Sequence, residues 1–379
     1  MIKRLVSVFL VLLLSVPGAA ALSADGISAD CAVVIEARTG KVLFEKNAHK
    51  KHSMASTTKI MTSLIAIESG RLPDEITVTE DMLGVEGTSM GLLPGDSVSL
   101  EELVYGMLLQ SGNDAANAAA VSVAGSVEDF AGLMNRRAAE IGMKNTHFVT
   151  PSGLDDERHF STAYDMALLG REAVRNTKFL SVCSSRSAVL SYGNPPYRRV
   201  LTNHNRLLRE LDSVKGIKTG FTKKSGRCLV TYAADDGREL IAVTLGAPDD
   251  WNDHKKLLSF GFGSLVRRRV DIPKVRVPVA GGTRPYVELC APPFIFGDSG
   301  SGDIRYRIYT DKFLYAPVAP GTVAGRADIY SGSTLLGSVD LTAEGCVGLK
   351  EVKTEPGNKS NGASERFIDF LKKVRQKLR

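Results

Sequence analysis

Three short polar motifs, far apart in the chain, place the strongest constraint on its fold. A Ser-x-x-Lys tetrapeptide occurs once, with Ser56 and Lys59 at its ends. It is followed in order by a Ser-Gly-Asn tripeptide, Ser111 to Asn113, and by a Lys-Thr-Gly tripeptide that begins at Lys218. If the three motifs act together, the chain must fold so that all three line one cleft.

The first motif is predicted to start a helix, because apolar residues recur at helical spacing from Ser56 until Gly70. In such a helix Lys59 lies one turn above Ser56, on the same face. A neutral lysine can take the proton of a serine hydroxyl, and burial or a second cation lowers the pKa of a lysine. Lys218 is the candidate for that cation. We therefore predict that Ser56 is a nucleophile, that Lys59 is its base, and that backbone N–H groups at the helix start stabilise an oxyanion.

The second motif follows a predicted helix that ends near Gln110, in a tight turn that Gly112 permits. The Ser111 hydroxyl can pass a proton to a leaving amine. The Asn113 amide can hold a peptide group, because it carries both a donor and an acceptor. Both side chains are predicted to point into the cleft.

The third motif is predicted to begin a strand pair at a sheet edge. The Lys218 cation and the Thr219 hydroxyl suit a substrate carboxylate. Gly220 lacks a Cβ and would let an extended peptide approach the edge, and the backbone N–H of Phe221 is predicted to be the second oxyanion donor. Each motif alone is common on ordinary helices, turns and hairpins, so the functional interpretation depends on the three occurring together and in this order.

The remaining periodicity predicts an α/β fold. Apolar strands near the N-terminus and after the third motif enclose a mainly helical stretch, so the sheet of a domain over residues 25–266 is predicted to come from both chain ends. Short alternating runs beyond Arg268 predict a separate, smaller all-β domain over 270–350. The predicted strands are Ala32–Ile35, Val42–Phe44, Cys228–Ala234 and Leu240–Gly246, and the predicted helices are 56–69, 100–109, 114–123, 127–141 and 162–174.

Both chain ends carry signals for location. Lys3 and Arg4 precede an apolar run, Leu5–Val16, and small residues, which predicts a secretory signal peptide over 1–23; an uncleaved anchor is the alternative. After a predicted linker at 351–362, residues 363–379 place apolar side chains on one half of a helical wheel and cations on the rest. We predict an amphipathic helix at an anionic membrane surface, with packing on the protein itself as the alternative. The chain is thus expected to be exported to the outer face of the cytoplasmic membrane, in the periplasm or cell-wall space.

Over nearly its whole length the chain resembles the low-molecular-mass penicillin-binding proteins that act as serine-type D-Ala-D-Ala carboxypeptidases. Besides the three motifs, the matching segments are 39–43, 45–47, 95–96, 105–115, 151–154 and 216–220. The resemblance implies a β-lactamase/transpeptidase-like antiparallel sheet with a helical cluster (an α/β, or α+β, class) and an all-β C-terminal domain.

The resemblance also implies the chemistry. Ser56 would form the acyl-enzyme, Lys59 would accept its proton, Ser111 and Asn113 would complete the cleft, and Lys218 would bind the terminal carboxylate. The substrate would be a peptidoglycan stem peptide ending in D-Ala-D-Ala, and β-lactams would acylate the same serine as substrate mimics. Neither a cofactor nor a metal is implied.

Two positions depart from the family pattern. Many members carry His after Lys-Thr-Gly, where this chain has Phe221, and some have an Arg after the next strand, where residues 246–251 contain none. Carboxylate recognition is therefore expected to rest on Lys218 and Thr219, with Arg227 as a further candidate. The departures bear on rate and substrate preference rather than on reaction class.

Other functional classes were weighed against this interpretation. A net charge of +6 suits nucleic acid, but a nucleic-acid binder conflicts with export. Five cysteines without C-x-x-C spacing indicate neither a metal site nor a dense disulfide framework, and most are expected to be buried. A β-lactamase would need a deacylating Glu-x-x-Leu-Asn pentad, which the sequence lacks. A β-lactam-acylated sensor or wall-binding module without turnover is the alternative from another class.

Overall fold

The structure, a computed structural model, describes residues 22–300 and 303–351. The rest of the chain lies outside the described residues, and with it nearly all of the predicted signal peptide, the linker beyond residue 351 and the predicted amphipathic helix. The described chain forms two compact units. The first comprises the chain up to Asp271 with Pro293–Arg307 and Asp328–Ser338, and the second comprises Ile272–Pro292, Ile308–Ala327 and the chain from Val339.

The bounds of the regular elements are as follows. The described helices are α1 (Lys59–Glu68), α2 (Glu80–Leu83), α3 (Leu100–Tyr105), α4 (Asn113–Ala124), α5 (Val127–Ile141), α6 (Ala163–Ala173), α7 (Thr177–Cys183), α8 (Leu207–Glu210) and α9 (Asp250–Gly263). The described strands are β1 (Cys31–Glu36), β2 (Val42–Lys46), β3 (Glu75–Thr77), β4 (Ser97–Ser99), β5 (Ser187–Gly193), β6 (Pro196–Thr202), β7 (Val214–Thr222), β8 (Gly226–Asp235), β9 (Arg238–Leu245), β10 (Val266–Val270), β11 (Val275–Ala280), β12 (Tyr286–Cys290), β13 (Phe294–Asp298), β14 (Ile304–Thr310), β15 (Leu314–Tyr315), β16 (Val323–Ser331) and β17 (Thr334–Ala343).

A five-stranded antiparallel sheet with the order β2-β1-β9-β8-β7 organises the first unit. The prediction that this sheet takes strands from both ends of the domain is confirmed, because β1 and β2 precede the helices while β7 to β9 follow them. The strand that carries the third motif, β7, therefore lies at an edge. Its outer side is open to an added strand, as a bound extended peptide would require.

Both faces of this sheet are covered by helices, so its inner strands are apolar on both sides. Successive residues of β1 alternate between two core clusters: Cys31, Val33 and Ile35 contribute to one, and Ala32 and Val34 to the other. The larger cluster lies under the helices between β2 and β7, and the smaller one lies under α9. All six residues of β1 are buried as a result.

Most of the predicted helices are present, with instructive differences at their ends. The helix predicted over 127–141 is confirmed as α5, which begins at the Ser126 cap and ends at Gly142 in the left-handed region. The helix predicted over 56–69 starts as a 3₁₀ turn, Ala55–Thr58, before α1. The helix predicted over 100–109 is α3 followed by a π-helical turn, Gly106–Gln110. Sequence periodicity missed α7, α9 and the β5–β6 hairpin.

The second unit is rich in β-structure, as predicted for this part of the chain. Within it, β11 pairs with β12 in antiparallel register, the C-terminal end of β17 pairs with β12, and β15 runs parallel to β11. None of the helices in the described part of the chain has the length and apolar character needed to cross a membrane.

A buried carboxylate links α9 to the segment before β1, and its removal should destabilise the first unit. Asp253 is 1 % exposed and accepts hydrogen bonds from the N–H of Ser28 (2.9 Å), the Oγ of Ser28 (2.7 Å) and the N–H of Ala29 (2.9 Å). We predict that Asp253→Ala lowers the free energy of unfolding by about 3 kcal/mol, because buried donors lose their acceptor. Denaturant or thermal unfolding would measure this loss.

The matched control is Asn252→Ala, the neighbouring and exposed position of the same helix. Its effect should stay within about 0.5 kcal/mol. Equal stability of the two variants would contradict the role given to Asp253.

Candidate active site

Lys59, the last residue of the first motif, is completely buried. Its Nζ lies 3.0 Å from Ser56 Oγ, 2.6 Å from Asn113 Oδ1 and 2.7 Å from the carbonyl oxygen of Ser152. Two of these three partners can only accept hydrogen bonds. A neutral amine would give its two protons to those two oxygens, and its lone pair would then face the Ser56 hydroxyl.

Electrostatics favour that neutral form. Burial lowers the pKa of Lys59 well below its ordinary value, and the charge of Lys218 lowers it further, while Asp114 acts in the opposite direction. Burial also lowers the pKa of Lys218, to about 7. Both causes predicted from the sequence, burial and a second cation, therefore act on Lys59.

The side chain of Asn113 is placed to orient Lys59. Its Oδ1 accepts from Lys59, its Nδ2 donates to the carbonyl of Glu86 (2.6 Å), and its backbone N–H donates to the carbonyl of Thr88 (2.7 Å). The sequence motif predicts that the Asn113 amide binds a peptide group of the substrate. In the structure both ends of the amide already have protein partners, because the loop that contains Glu86 and Thr88 folds over the start of α4.

Asp114, which the sequence analysis did not single out, holds this loop in place. Its carboxylate accepts from Ser89 Oγ and from the backbone N–H groups of Met90, Gly91 and Leu92, at 2.5 to 3.1 Å. A carboxylate at a helix start is a strong acceptor for such N–H groups. The only sequence signal was the position of an acidic residue directly after the second motif.

Ser111 occupies a turn in a backbone conformation that few residues other than glycine adopt. Its φ is 62°, at the end of the π-helical turn, and the residue is 6 % exposed. The next residue must be glycine, since a Cβ on Gly112 would lie 2.7 Å from Asp114 Oδ1 and 3.0 Å from the N of Met90. The tight turn predicted from the sequence is therefore present.

The third motif lies within β7 rather than at its start. Lys218 is 1 % exposed, and its Nζ donates to the carbonyl of Thr219 at 2.8 Å. A Cβ on Gly220 would lie 3.1 Å from the backbone N atoms of Ser56 and Thr57. The sequence motif predicts that Gly220 lets an extended substrate peptide approach the sheet edge. The structure gives it another role, because its missing side chain lets β7 approach the backbone of the nucleophile's turn.

That approach brings the two predicted oxyanion donors to the same place. Ser56 lies in the 3₁₀ turn beside Gly220, and the next residue of β7 is Phe221, whose side chain is 64 % exposed. The Phe221 side chain thus offers an open apolar surface at the cleft edge, and its predicted role as an oxyanion donor would be carried by its backbone.

The loop after α5 completes the site, although the sequence analysis assigned it no chemical role. Gly153 packs against the turn that carries Ser56 so closely that a Cβ would lie 2.0 Å from the carbonyl oxygen of Ala55. His159 lies 2.9 Å from Thr58 Oγ1, and burial lowers its pKa to about 4, so it is a neutral, hydrogen-bonding histidine. Asp155 accepts from Ser53 and Thr222 (2.9 and 3.0 Å) and so links this loop to β7.

The structure also reports on the cysteines and on metal binding. Cys31, Cys183 and Cys228 are buried, as expected for most of the five, and none of the cysteines is in a disulfide in the described chain. Within residues 22–300 and 303–351, no three His, Cys, Asp or Glu side chains are grouped so that they could hold a metal ion.

Known proteins of similar sequence share one description. The family described as D-alanyl-D-alanine carboxypeptidase matches residues 19–249. The chain is 32% identical over 400 residues to the D-alanyl-D-alanine carboxypeptidase DacF of Bacillus subtilis, covering 98% of each chain. It is 36% identical to DacC of Escherichia coli, a protein of the same description, with 80% of each chain covered.

Solved structures give the same result for the fold. Penicillin binding protein 5 from Haemophilus influenzae superposes with a TM-score of 0.62 and 28% identity, covering 86% of this chain and all of that one. A mutant of the Streptomyces K15 DD-transpeptidase gives a TM-score of 0.60 and 27% identity over 62% of this chain and 98% of its own. The predicted fold class, an antiparallel sheet with a helical cluster and a β-rich C-terminal part, is confirmed.

The charge of Lys218 should affect the pH dependence of acylation. Lys218→Gln removes a positive charge near Lys59, so protonated Lys59 is penalised less and its pKa rises. The acid limb of the acylation rate should therefore move to higher pH, by about one unit. The rate of acylation by a penicillin, measured across pH, would show the shift.

Lys215→Gln is the matched control, because Lys215 is an exposed lysine on the same strand. Its profile should overlay that of the parent. A Lys218→Gln profile that also overlaid the parent would show that this charge does not set the pKa of Lys59.

Proposed function

The chain belongs to the D-alanyl-D-alanine carboxypeptidase family, and from that premise we propose how its residues carry out the reaction. The protein is a serine-type D-Ala-D-Ala carboxypeptidase and a penicillin-binding protein. We assign the catalytic roles to Ser56, Lys59, Ser111 and Asn113, within a catalytic domain over residues 25–266. The observation that carries this assignment is the buried Lys59 amine, 3.0 Å from Ser56 Oγ and with its other two partners unable to donate.

Acylation would proceed in the following way. Lys59 takes the Ser56 proton as Oγ attacks the carbonyl carbon of the penultimate D-alanine. The N–H groups of Ser56 and Phe221 stabilise the oxyanion. The proton then passes from Lys59 through Ser111 to the leaving nitrogen, and free D-alanine departs.

Deacylation would reuse the same groups. Lys59, neutral again, removes a proton from a water molecule that attacks the carbonyl carbon of the Ser56 ester. As the acyl–Oγ bond breaks, Lys59 returns that proton to Ser56 Oγ, and the shortened stem peptide leaves with a free carboxylate. Asn113 would keep the amine oriented through both steps, because its Oδ1 accepts from that amine while its Nδ2 is held by the carbonyl of Glu86.

The edge of β7 would hold the substrate. An extended stem peptide that adds to this edge would pair with the backbone of Thr219 to Phe221, with Gly220 between them. Thr219 would lie next to the terminal carboxylate, Lys218 would add positive charge from within the strand, and Phe221 would offer apolar contact. β-Lactams would occupy the same edge and acylate Ser56.

We further propose that the protein is exported and held at the outer face of the cytoplasmic membrane. The support is in the sequence: a basic start followed by an apolar run for residues 1–23, and an apolar face opposite a cationic one for residues 363–379. The β-rich region over 270–350 and the linker at 351–362 would separate that anchor from the catalytic domain.

The first test removes the nucleophile. Purified parent protein should release D-alanine from diacetyl-Lys-D-Ala-D-Ala, and Ser56→Ala should release none above background, because no acyl-enzyme can form. D-alanine is measured with a D-amino-acid oxidase assay. Release by the variant at the parent's rate would defeat the assignment. Covalent penicillin binding by a parent that releases no D-alanine would favour the sensor alternative.

The second test concerns the membrane. The chain from residue 24 to its end should sediment with vesicles that contain phosphatidylglycerol, and the same chain ended at Lys350 should stay in the supernatant with unchanged D-alanine release. High salt and purely zwitterionic vesicles should weaken sedimentation, because cations on the helix meet anionic lipid. Equal sedimentation of both chains would mean that residues 351–379 do not hold the protein at a membrane.

A further inference from the structure

A carboxypeptidase must recognise a free carboxylate, and the cation of the third motif is poorly placed to do so alone. Lys218 is 1 % exposed, and its Nζ already donates to the carbonyl of Thr219. Its pKa of about 7 leaves it only partly charged at neutral pH. Its charge also acts on Lys59. Binding of the substrate carboxylate therefore requires a cation other than Lys218, one that is always charged and exposed to solvent.

Arg227 lies on the neighbouring strand in the right register. It is paired with Phe221 across the antiparallel β7–β8 ladder, so the two side chains are on the same face of the sheet. Thr219 is on that face too, diagonally across from Arg227. Diagonal neighbours have Cα atoms about 7–8 Å apart, which is within reach of an arginine side chain. The Arg227 side chain is 43% exposed.

Two neighbours contact the Arg227 guanidinium, one through a hydrogen bond to a single edge and the other through an aromatic ring. Its Nε donates to Asp250 Oδ1 at 2.8 Å, and its Cζ lies 5.4 Å from the ring centre of Trp251. Asp250 is itself fixed, because its side chain is 3% exposed and its Oδ1 accepts from the N–H of Trp251 at 3.0 Å. In the described chain the two terminal nitrogens have no hydrogen-bond acceptor, and they form the pair that fits a carboxylate in bidentate fashion.

We propose that Arg227, oriented by Asp250 and Trp251, binds the free terminal carboxylate of the substrate through its two terminal nitrogens, next to Thr219. This inference rests on the proposed function and names a specificity residue for it. Asp250 and Trp251 act through Arg227 and are positioning residues. The expected division of roles leaves Lys218 to act mainly on Lys59.

The chain offers a matched control in Arg206. Its guanidinium also lies over Trp251, at 5.3 Å, and its Nε also pairs with a carboxylate, Glu210, at 2.7 Å. Arg206 precedes α8 and is not part of the β7–β8 ladder. A general effect of removing an arginine from Trp251 would therefore appear in both variants, whereas loss of carboxylate binding would appear in one.

The experiment compares diacetyl-Lys-D-Ala-D-Ala with its C-terminal amide, in the parent, Arg227→Gln and Arg206→Gln. The parent should prefer the acid. Arg227→Gln should lower the acid-to-amide ratio of kcat/KM about 10- to 100-fold, mainly through a higher KM for the acid, with turnover of the amide within about threefold of the parent. Arg206→Gln should keep the ratio within about twofold. Arg227→Lys, which keeps the charge without the fork, should lie between the parent and Arg227→Gln.

An unchanged acid-to-amide ratio in Arg227→Gln would overturn the proposal, and so would an equal fall for both substrates, which indicates a structural role. If Arg227→Gln does not fold, the ratio in Arg227→Lys decides in the same way. A parent that cleaves neither substrate would overturn the proposed function itself. That failure is distinct, because it appears before any arginine is changed.

Discussion

The structure depends most on keeping one lysine amine neutral and in place inside the protein. Lys59 is completely buried, and an ammonium there would carry a large desolvation penalty. The three oxygens around it come from three different parts of the chain: the nucleophile's turn, the start of α4 and the loop after α5. Each of these parts has to be held to within a few tenths of an ångström, since a hydrogen bond tolerates little more.

The means of holding them are close backbone contacts and buried acceptors. Gly153 and Gly220 let a loop and a strand touch the backbone of the turn that carries Ser56. Asp114 collects backbone N–H groups of the loop over Asn113, and Asn113 in turn orients Lys59. The side chains that perform chemistry are therefore few, whereas those that fix their positions lie all around them.

The two buried lysines have different roles. Lys218 stays at the sheet edge with a pKa of about 7 and disfavours a proton on Lys59. Its burial, which makes it effective in that role, also makes it a weak partner for a substrate carboxylate. An arginine at the solvent-facing end of the next strand resolves this conflict, because guanidinium keeps its charge and can be held by one edge while the other stays free.

Much of the fold and of the candidate site could be predicted from the sequence, because neighbouring residues determine where many of the helices and strands form. The spacing of Ser56 and Lys59 predicts that they meet across one helical turn, short apolar runs predict β1 and β9, and helical periodicity predicts α5. The helix α9 has few apolar residues and forms because Leu257 and Leu258 are buried against the sheet. Sequence patterns therefore did not predict it. They also assigned Asn113 and Gly220 to the substrate, since the loop at Glu86 and the turn at Ser56 are distant in sequence.

By itself, then, the sequence predicted which residues carry the chemistry, and it determined the order of the elements that bear them and the family to which the chain is similar. The tertiary structure alone decided that Lys59 has two carbonyl partners, that Asp114 and Asp155 hold the surrounding loops, and that Arg227 is turned by Asp250 beside the third motif. The physical reason is that burial and long-range contacts set pKa values and orientations, and neither is encoded within any short stretch of the chain.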